Sequence, residues 1–152
     1  MPYKITRFKP EHLELIEPRE ELKKEVDFII QNKDYLKLYT NEMVSNTLWY
    51  NDTPLMVYGF HNNGIGTYTV FVISHKDLSK HKFAAIKAIY KYYEDYVMSD
   101  VRRLEAYVNL DDSTALRFAK WFGFAIIGIR HKASYGGYDQ AILERLQRKA
   151  SC

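Results

Sequence analysis

The apolar run TYTVFVIS, Thr67–Ser74, is followed after a short polar link by a helical pattern that extends from near Ser79 to Met98. The run is rich in β-branched and aromatic residues, which favour a strand. One apolar face of the helical pattern repeats at steps of three and four residues: Phe83, Ile86, Tyr90, Tyr93 and Val97. A strand followed at once by a long helix with an apolar face predicts a sheet that is covered by helices.

Periodicity and capping residues predict further strands and helices around this unit. The other strands are predicted at Tyr3–Phe8, Thr47–Tyr50, Pro54–His61, Leu104–Leu110, Ala125–Ala133 and Tyr138–Leu146. The other helices are predicted from Pro10 to a break at Pro18, from Arg19 to about Asn32, and from a cap at Asp112 or Ser113 to about Trp121. The order β-α-α-β-β-β-α-β-α-β-β predicts an α+β (mixed α/β) fold, with a mostly antiparallel central sheet and helices on both faces, in a single domain over residues 1–152.

Turn chemistry supports these boundaries. Turns are predicted at Asn51-Asp52, at Asn62-Asn63-Gly64 and at Gly136-Gly137, and Gly123 is expected to end the helix that precedes it. Residues 33–46 show no pattern that decides between helix and strand.

The bulk properties exclude several classes of protein. The net charge of +3, from 22 basic and 19 acidic residues, is too small to indicate nucleic-acid binding by itself. Cys152 is the single cysteine and the five histidines lack metal-ligand spacing, so we expect neither an intrachain disulfide nor a metal site. The first ten residues lack the apolar core of a signal peptide, and no apolar run is long enough to span a membrane, so we expect a cytoplasmic protein.

The start of the long helix carries an unusual concentration of lysine at Lys76, Lys80 and Lys82. A helix N-terminus attracts anions through its free N–H groups and its dipole, and lysine side chains can add point charges for a phosphate. The alternative is an ordinary solvated helix start. Glycine, which lets a backbone approach a phosphate closely, is missing here.

The stretch AYVNLDDSTALRFAKWFGF, with Ala115 eight residues before Gly123 and Phe124 after it, resembles the GNAT acyltransferase superfamily, as do the element order and the closing hairpin. The resemblance implies an N-acetyltransferase that binds acetyl-CoA or CoA and acts on an amine of a small molecule or a protein. It implies a splayed pair of strands at which the main chain of Val72, Ile73 and Ser74 binds the pantetheine. The remaining candidate cofactor-binding residues are Ser79, Lys80, Lys82, Ala84 and Phe118.

Two departures from the family pattern bear on activity. The family loop R/Q-x-x-G-x-G/A corresponds to Ser79–Ala84, where Lys82 replaces the first glycine, Ser79 replaces the arginine or glutamine, and only Ala84 fits. Ala119 occupies the position, four residues before Gly123, at which many members have a tyrosine that acts as the general acid. Loss of a general acid typically costs ~10²–10⁴-fold in the step that it assists.

Glu105, Tyr107 and His75 are the candidate catalytic residues. Glu105 and Tyr107 share one face of a predicted strand, and His75 follows the strand Thr67–Ser74. Carboxylate, imidazole and phenol groups are the usual general bases and acids. Tyr58 and His61 are alternatives to Tyr107 and His75, and each of these side chains could instead be an ordinary core or surface residue.

The helix start K-x-K-F together with STALRFAKWFG is also similar to GNAT-like proteins of short-tailed bacteriophages, internal or associated with the virion. That similarity implies a phage origin, and as an alternative function an inactive scaffold within the virion or bound to a host protein. A folded scaffold does not by itself imply catalysis. The alternation of lysine and tyrosine in KAIYKYYEDY could stack nucleic-acid bases, but helical packing explains it more simply.

Overall fold

The computed structural model describes residues 2–32, 34, 44–96, 101–134 and 137–146. The strands are β1 (Tyr3–Arg7), β2 (Val44–Tyr50), β3 (Thr53–Gly64), β4 (Thr67–Ser74), β5 (Arg103–Asn109), β6 (Ala125–Arg130) and β7 (Gln140–Leu146). The helices are α1 (Glu11–Leu15), α2 (Glu20–Gln31), α3 (Lys82–Tyr96) and α4 (Ser113–Trp121), with a 3₁₀ turn at Leu78–His81 before α3. The predicted turn glycine Gly136 and the predicted helix positions Val97 and Met98 lie outside the described residues, as does most of the ambiguous region.

One seven-stranded sheet has the order β1-β2-β3-β4-β5-β7-β6. The β4–β5 pair is parallel and the other neighbouring pairs are antiparallel. The predicted fold class and element order are therefore confirmed. The parallel pair follows from α3, because a long crossover helix returns the chain to the same end of the sheet.

One predicted turn is wrong in position. β3 continues through Asn62-Asn63-Gly64, and the chain reverses at Ile65-Gly66 instead. A register shift between Asn62 and Gly64, with Gly64 at φ +130°, accommodates the extra length, and Gly66 takes φ +72° in the turn. Glycine at both positions allows the bulge and the tight reversal at little steric cost.

Apolar side chains fill a core on each face of the sheet. The core on one face lies between the sheet and α1 and α2, with Leu13, Val26 and Ile29 buried. Val26 and Ile29 are the buried residues of α2. The larger core lies between the sheet and α3 and α4.

The predicted apolar face of α3 is confirmed at Tyr93 and is wrong at Phe83 and Tyr90. Phe83 is 73% exposed and Tyr90 is 37% exposed, although both belong to the predicted apolar face. The buried residues are Ala85, Ala88, Ile89, Tyr92 and Tyr93. The small alanines let the helix backbone approach the sheet, which rotates Phe83 out of the core.

None of the helices within the described ranges combines the length and the apolarity that crossing a bilayer requires.

Candidate functional site

The parallel strands β4 and β5 separate along their length. Their pairing covers Thr67–Thr69 against Arg103–Glu105 and does not extend to Ser74 or Asn109. Among the described residues, the edge of β4 that faces β5 therefore has no strand partner beyond Thr69. Such an edge presents main-chain N–H and C=O groups that can bind an extended ligand.

A groove of about 460 Å³ occupies the gap between the two strands. Residues of α2, α3 and α4 contribute to its walls, together with the diverging halves of β4 and β5. Its lining is mainly apolar, with a few polar and charged side chains, including Arg19, Glu25, Asn109 and Asp112. An apolar groove with a few converging polar groups is the usual form of a ligand site.

Arg19 and Asp112 tie α2 to α4 at the end of the groove. Asp112 is the N-cap of α4, where Oδ1 accepts a hydrogen bond from the Ala115 N–H at 3.1 Å. Its Oδ2 accepts one from Nη2 of Arg19 at 2.6 Å, and the Asp112 side chain is only 2% exposed. Arg19 is the residue before α2, so one carboxylate fixes the starts of both helices relative to each other.

Glu25 projects from α2 into the same groove. Its Oε1 accepts a hydrogen bond from Nδ2 of Asn109 at 2.9 Å, and Asn109 Oδ1 accepts from Gln140 Nε2 at 3.4 Å. Burial raises the pKa of the Glu25 carboxyl, the Asn109 hydrogen bond opposes this rise, and the charge of Asp112 adds to it. A half-buried carboxyl whose pKa is raised, held in a groove, has the properties of a general base.

Of the predicted catalytic residues, Tyr107 lines the groove and Glu105 does not. Nε of Arg103 contacts Glu105 Oε1 at 2.9 Å, and Arg103 also pairs with Glu144. The Tyr107 hydroxyl donates to Glu105 Oε2 at 3.3 Å. Burial, and then the charge of Glu105, raise the pKa of the Tyr107 phenol, which keeps it protonated at neutral pH.

The predicted catalytic residue His75 is buried in the loop after β4, outside the groove lining. Its Nδ1 accepts a hydrogen bond from the Asp77 N–H at 3.1 Å, which indicates a role in shaping the loop. Because β3 and β4 are antiparallel, His61 lies opposite Thr69, at the far end of the sheet from His75. Tyr58 is 1% exposed and belongs to the core.

Most of the predicted cofactor-binding residues line the groove together: Val72, Ile73, Ser74, Ser79, Lys82 and Phe118. Ala119, where the family pattern has tyrosine, lines it too. Lys80 and Ala84 are not part of the lining; Nζ of Lys80 lies 3.4 Å from Asp77 Oδ1. Lys76 is paired with Glu17 at 2.8 Å, so Lys82 is the lysine of the three that reaches the groove.

The 3₁₀ turn before α3 changes what the backbone can offer to an anion. The Leu78 N–H donates to His75 O, and the Lys80 N–H donates to Asp77 O, both at 3.0 Å. These donors are therefore already occupied. Lys82 and the hydroxyl of Ser79 line the groove and are the side-chain groups that could contact an anion at this junction.

A second cavity, of about 450 Å³, adjoins the groove and shares Asn109 with it. Glu20, Glu21 and Asp27 of α2 line it, together with Asp111. Among the described residues, no group of three or more His, Cys, Asp or Glu side chains is arranged to hold a metal ion.

Sequence reasoning missed Glu25 and Arg19, although a signal for both was present. Leu22 and Ile29 face inward on α2, and Arg19 and Glu25 fall in the same series at steps of three and four. Charged residues within an apolar helical stripe are expected to need a partner or a function. That stripe marks both side chains as inward-facing.

Comparison with solved structures finds the same architecture in acetyltransferases. Ard1 from Thermoplasma volcanium matches with a TM-score of 0.72 at 10% identity, covering 98% of this chain and 100% of that one. The N-acetyltransferase PseH of Campylobacter jejuni matches with a TM-score of 0.63 at 16% identity, covering 97% and 100%. A GNAT-family acetyltransferase from Streptococcus pneumoniae matches with a TM-score of 0.66 at 16% identity, covering 95% and 98%.

No protein-family model and no curated protein sequence matches the chain. The structural likeness covers nearly the whole chain at low identity, so what it shows is the fold. The chain therefore has the GNAT fold.

Proposed function

We propose that this protein is an acetyl-CoA-dependent N-acetyltransferase whose active site is the groove between β4 and β5. The observation that carries the proposal is the position of Glu25, a carboxyl with a raised pKa, in the groove formed where β4 and β5 separate. The solved structures of the same fold are described as acetyltransferases, which supports the reaction class. The acceptor is an amine, of a small molecule or a protein.

The chain offers contacts for acetyl-CoA along the groove. The unpaired edge of β4 at Val72–Ser74 suits the amide-containing pantetheine arm, since both are extended and carry alternating donors and acceptors. Ser79 and Lys82 suit the phosphates, with a side-chain charge in place of the glycine-rich backbone loop. Acetyl-CoA supplies the acetyl group as a thioester.

Glu25 is the proposed general base. An amine must lose a proton to become a nucleophile, and the Glu25 carboxylate, held by Asn109, accepts that proton directly or through a water. The amine nitrogen then forms a bond to the thioester carbonyl carbon, and the carbon–sulfur bond breaks. The second cavity shares Asn109 with the groove, so an acceptor that enters there approaches from the Glu25 side.

The departing thiolate must take up a proton. Ala119 cannot supply it, whereas Tyr107 lines the groove and keeps its phenol proton at neutral pH. Tyr107 or solvent is therefore the proposed proton source. Close positioning of the two substrates contributes independently of any acid, because it removes the entropic cost of bringing them together.

An inactive scaffold is the second candidate function. It is favoured by the occupied N–H groups of Leu78 and Lys80 and by alanine at position 119. Such a scaffold would act through its surface, with a virion component or a host protein as the proposed partner.

Isothermal titration calorimetry with CoA and acetyl-CoA, followed by an acetyl-transfer assay on a panel of amines, tests the proposal. Saturable binding and transfer of the acetyl group to an amine are expected. Folded protein that produces no heat with millimolar CoA would refute the acetyltransferase and favour the scaffold. Binding without transfer to any amine would leave a CoA-binding scaffold.

A further inference from the structure

Two aromatic side chains are exposed beside the groove at the phosphate end. Phe83, at the start of α3, is 73% exposed, and Trp121, at the end of α4, is 54% exposed. Their ring centroids are 6.2 Å apart, with the planes inclined at 54°. Trp121 lines the groove and Phe83 flanks it, so the pair forms an apolar surface at its outer end.

Lys82 lies over both rings. Its Nζ is 5.5 Å from the centroid of Phe83 and 5.1 Å from the centroid of Trp121. Lys82 also lines the groove, where it is the lysine of the α3 start that faces the proposed phosphate position. The ammonium group thus occupies a place above two aromatic faces that a flat ring could occupy instead.

Replacement of the Lys82 ammonium by a flat ring above Phe83 and Trp121 is energetically favourable. An exposed cation–π contact is weak, and a base stacked on the same ring is generally worth more. The ammonium released from the rings could then pair with a phosphate, and such a charge-assisted contact is stronger than an exposed cation–π contact. Phe83 belongs to the apolar period of α3 and is nevertheless exposed, and side chains that depart from an otherwise consistent pattern of burial are often functional.

We propose that Phe83 and Trp121 form a stacking platform for the adenine ring of the nucleotide part of CoA, and that Lys82 moves from the rings onto a phosphate when this nucleotide binds. This inference rests on the proposed function, because it takes the ligand of the groove to be an acyl-CoA. The platform supplies binding energy at the junction where the chain lacks the glycine-rich backbone loop.

Fluorescence of Trp121 gives a direct readout that does not depend on catalysis. The chain has one other tryptophan, Trp49, whose indole N–H donates to Thr6 in the β1–β2 region. In a Trp49→Phe background the emission comes from Trp121 alone, and Trp121→Phe in the full chain serves as the reciprocal control. The ligands are CoA, adenosine 3′,5′-bisphosphate, ADP and pantetheine.

We expect CoA and adenosine 3′,5′-bisphosphate to quench Trp121, ADP to quench it more weakly, and pantetheine to leave it unchanged. Phe83→Ala should weaken binding of CoA and of the bisphosphate by about 5- to 150-fold, the range for loss of one stacked base, without affecting pantetheine. Ile65→Ala, at an 87% exposed apolar residue in the β3–β4 turn, is the matched control and should change none of these affinities.

The outcomes separate this inference from the proposed function. CoA binding with unchanged Trp121 emission and with full affinity in Phe83→Ala would overturn the platform and leave the acetyltransferase intact. If the bisphosphate quenches Trp121 and Phe83→Ala abolishes this quenching, the platform is supported. If the same protein transfers no acetyl group, the proposed enzyme activity is refuted. Equal quenching by an oligothymidine strand would overturn the assignment to an adenine nucleotide.

Discussion

Glu25 is the residue on which the proposed chemistry depends most. Replacing it with glutamine keeps the size of the side chain and an oxygen that can accept from Asn109, but removes the base. We expect kcat/KM to fall by about 10²–10⁴-fold, the usual contribution of a positioned base. Steady-state rates of acetyl transfer test this, with Glu14→Gln, an exposed carboxylate on α1 that lines neither cavity, as the control.

The pH profile distinguishes a base from a structural carboxyl. Burial raises the pKa of Glu25, so the acidic limb of kcat/KM should lie above the ordinary glutamate value of 4.5 and should be absent in Glu25→Gln. A raised pKa also means that the folded state binds this proton more tightly, so the wild type loses stability as pH rises through that pKa. In urea titrations, the free energy of unfolding of Glu25→Gln should therefore increase relative to that of the wild type as the pH rises. A difference in unfolding free energy that does not change with pH would contradict the raised pKa.

A substitution at Ala119 tests the proposed chemistry by adding a group, with a gain in rate as the expected result. It lines the groove at the position where the family pattern places a tyrosine acid, so the ring of Ala119→Tyr would enter the groove. If the missing acid limits the reaction, kcat should rise by about 100-fold, the low end of what a positioned acid supplies. Ala119→Phe adds the ring without the hydroxyl, and an equal rise in that variant would contradict the acid role.

For individual residues, the sequence predicted which positions lie at the groove better than it predicted which side chains contact each other. Val72, Ser79 and Lys82 could be placed at the groove because the resemblance fixes a strand followed by a helix. The helical period of α3 also predicted the buried position of Tyr93. The hydrogen-bond partners of the charged side chains could not be predicted. Arg19 and Asp112 are 93 residues apart in the chain, and nothing in the sequence around either residue indicates the other.

Helix α4 shows how one side chain can join two elements. Asp112 caps α4 and pairs with Arg19 before α2, so Asp112→Ala removes a cap worth about 0.5–2 kcal/mol and leaves a mostly buried guanidinium unpaired. We expect a total loss of about 3–5 kcal/mol in urea unfolding. The exposed neighbour Asp111→Ala should change stability by less than about 0.5 kcal/mol.

Asp112→Asn separates the two contributions of that carboxylate. Asparagine caps helices as well as aspartate does, so this variant loses the ion pair alone and should fall between Asp112→Ala and the wild type. Equal losses in the two variants would mean that the cap contributes nothing. The predicted cap and the Gly123 ending of α4 are both confirmed, with Gly123 at φ +84°, because caps and αL glycines are encoded locally.

The antiparallel parts of the sheet were predictable because adjacent strands and short turns determine them. The opening between β4 and β5 was expected only from the family resemblance and not from any local pattern, because it depends on three helices that pack around it from distant parts of the chain. The insertion of β7 between β5 and β6 is likewise non-local. A sequence pattern specifies which segments form strands, whereas the pairing of distant strands is set by packing of the whole molecule.

The opening itself can be tested in the whole molecule by hydrogen exchange. Beyond Thr69, amides of β4 that face β3 are hydrogen-bonded in the sheet, whereas those facing β5 border the groove. In the free protein, alternate amides within Val72–Ser74 should therefore exchange quickly, because exchange follows the loss of a hydrogen-bond partner. Free CoA at ten times its Kd should slow them by up to about tenfold, while amides of the β2–β3 pair keep their rates. Uniform protection along β4 without CoA would show that the strands close in solution, and a slowing that includes β2–β3 would indicate a global effect on stability instead of binding along the open edge.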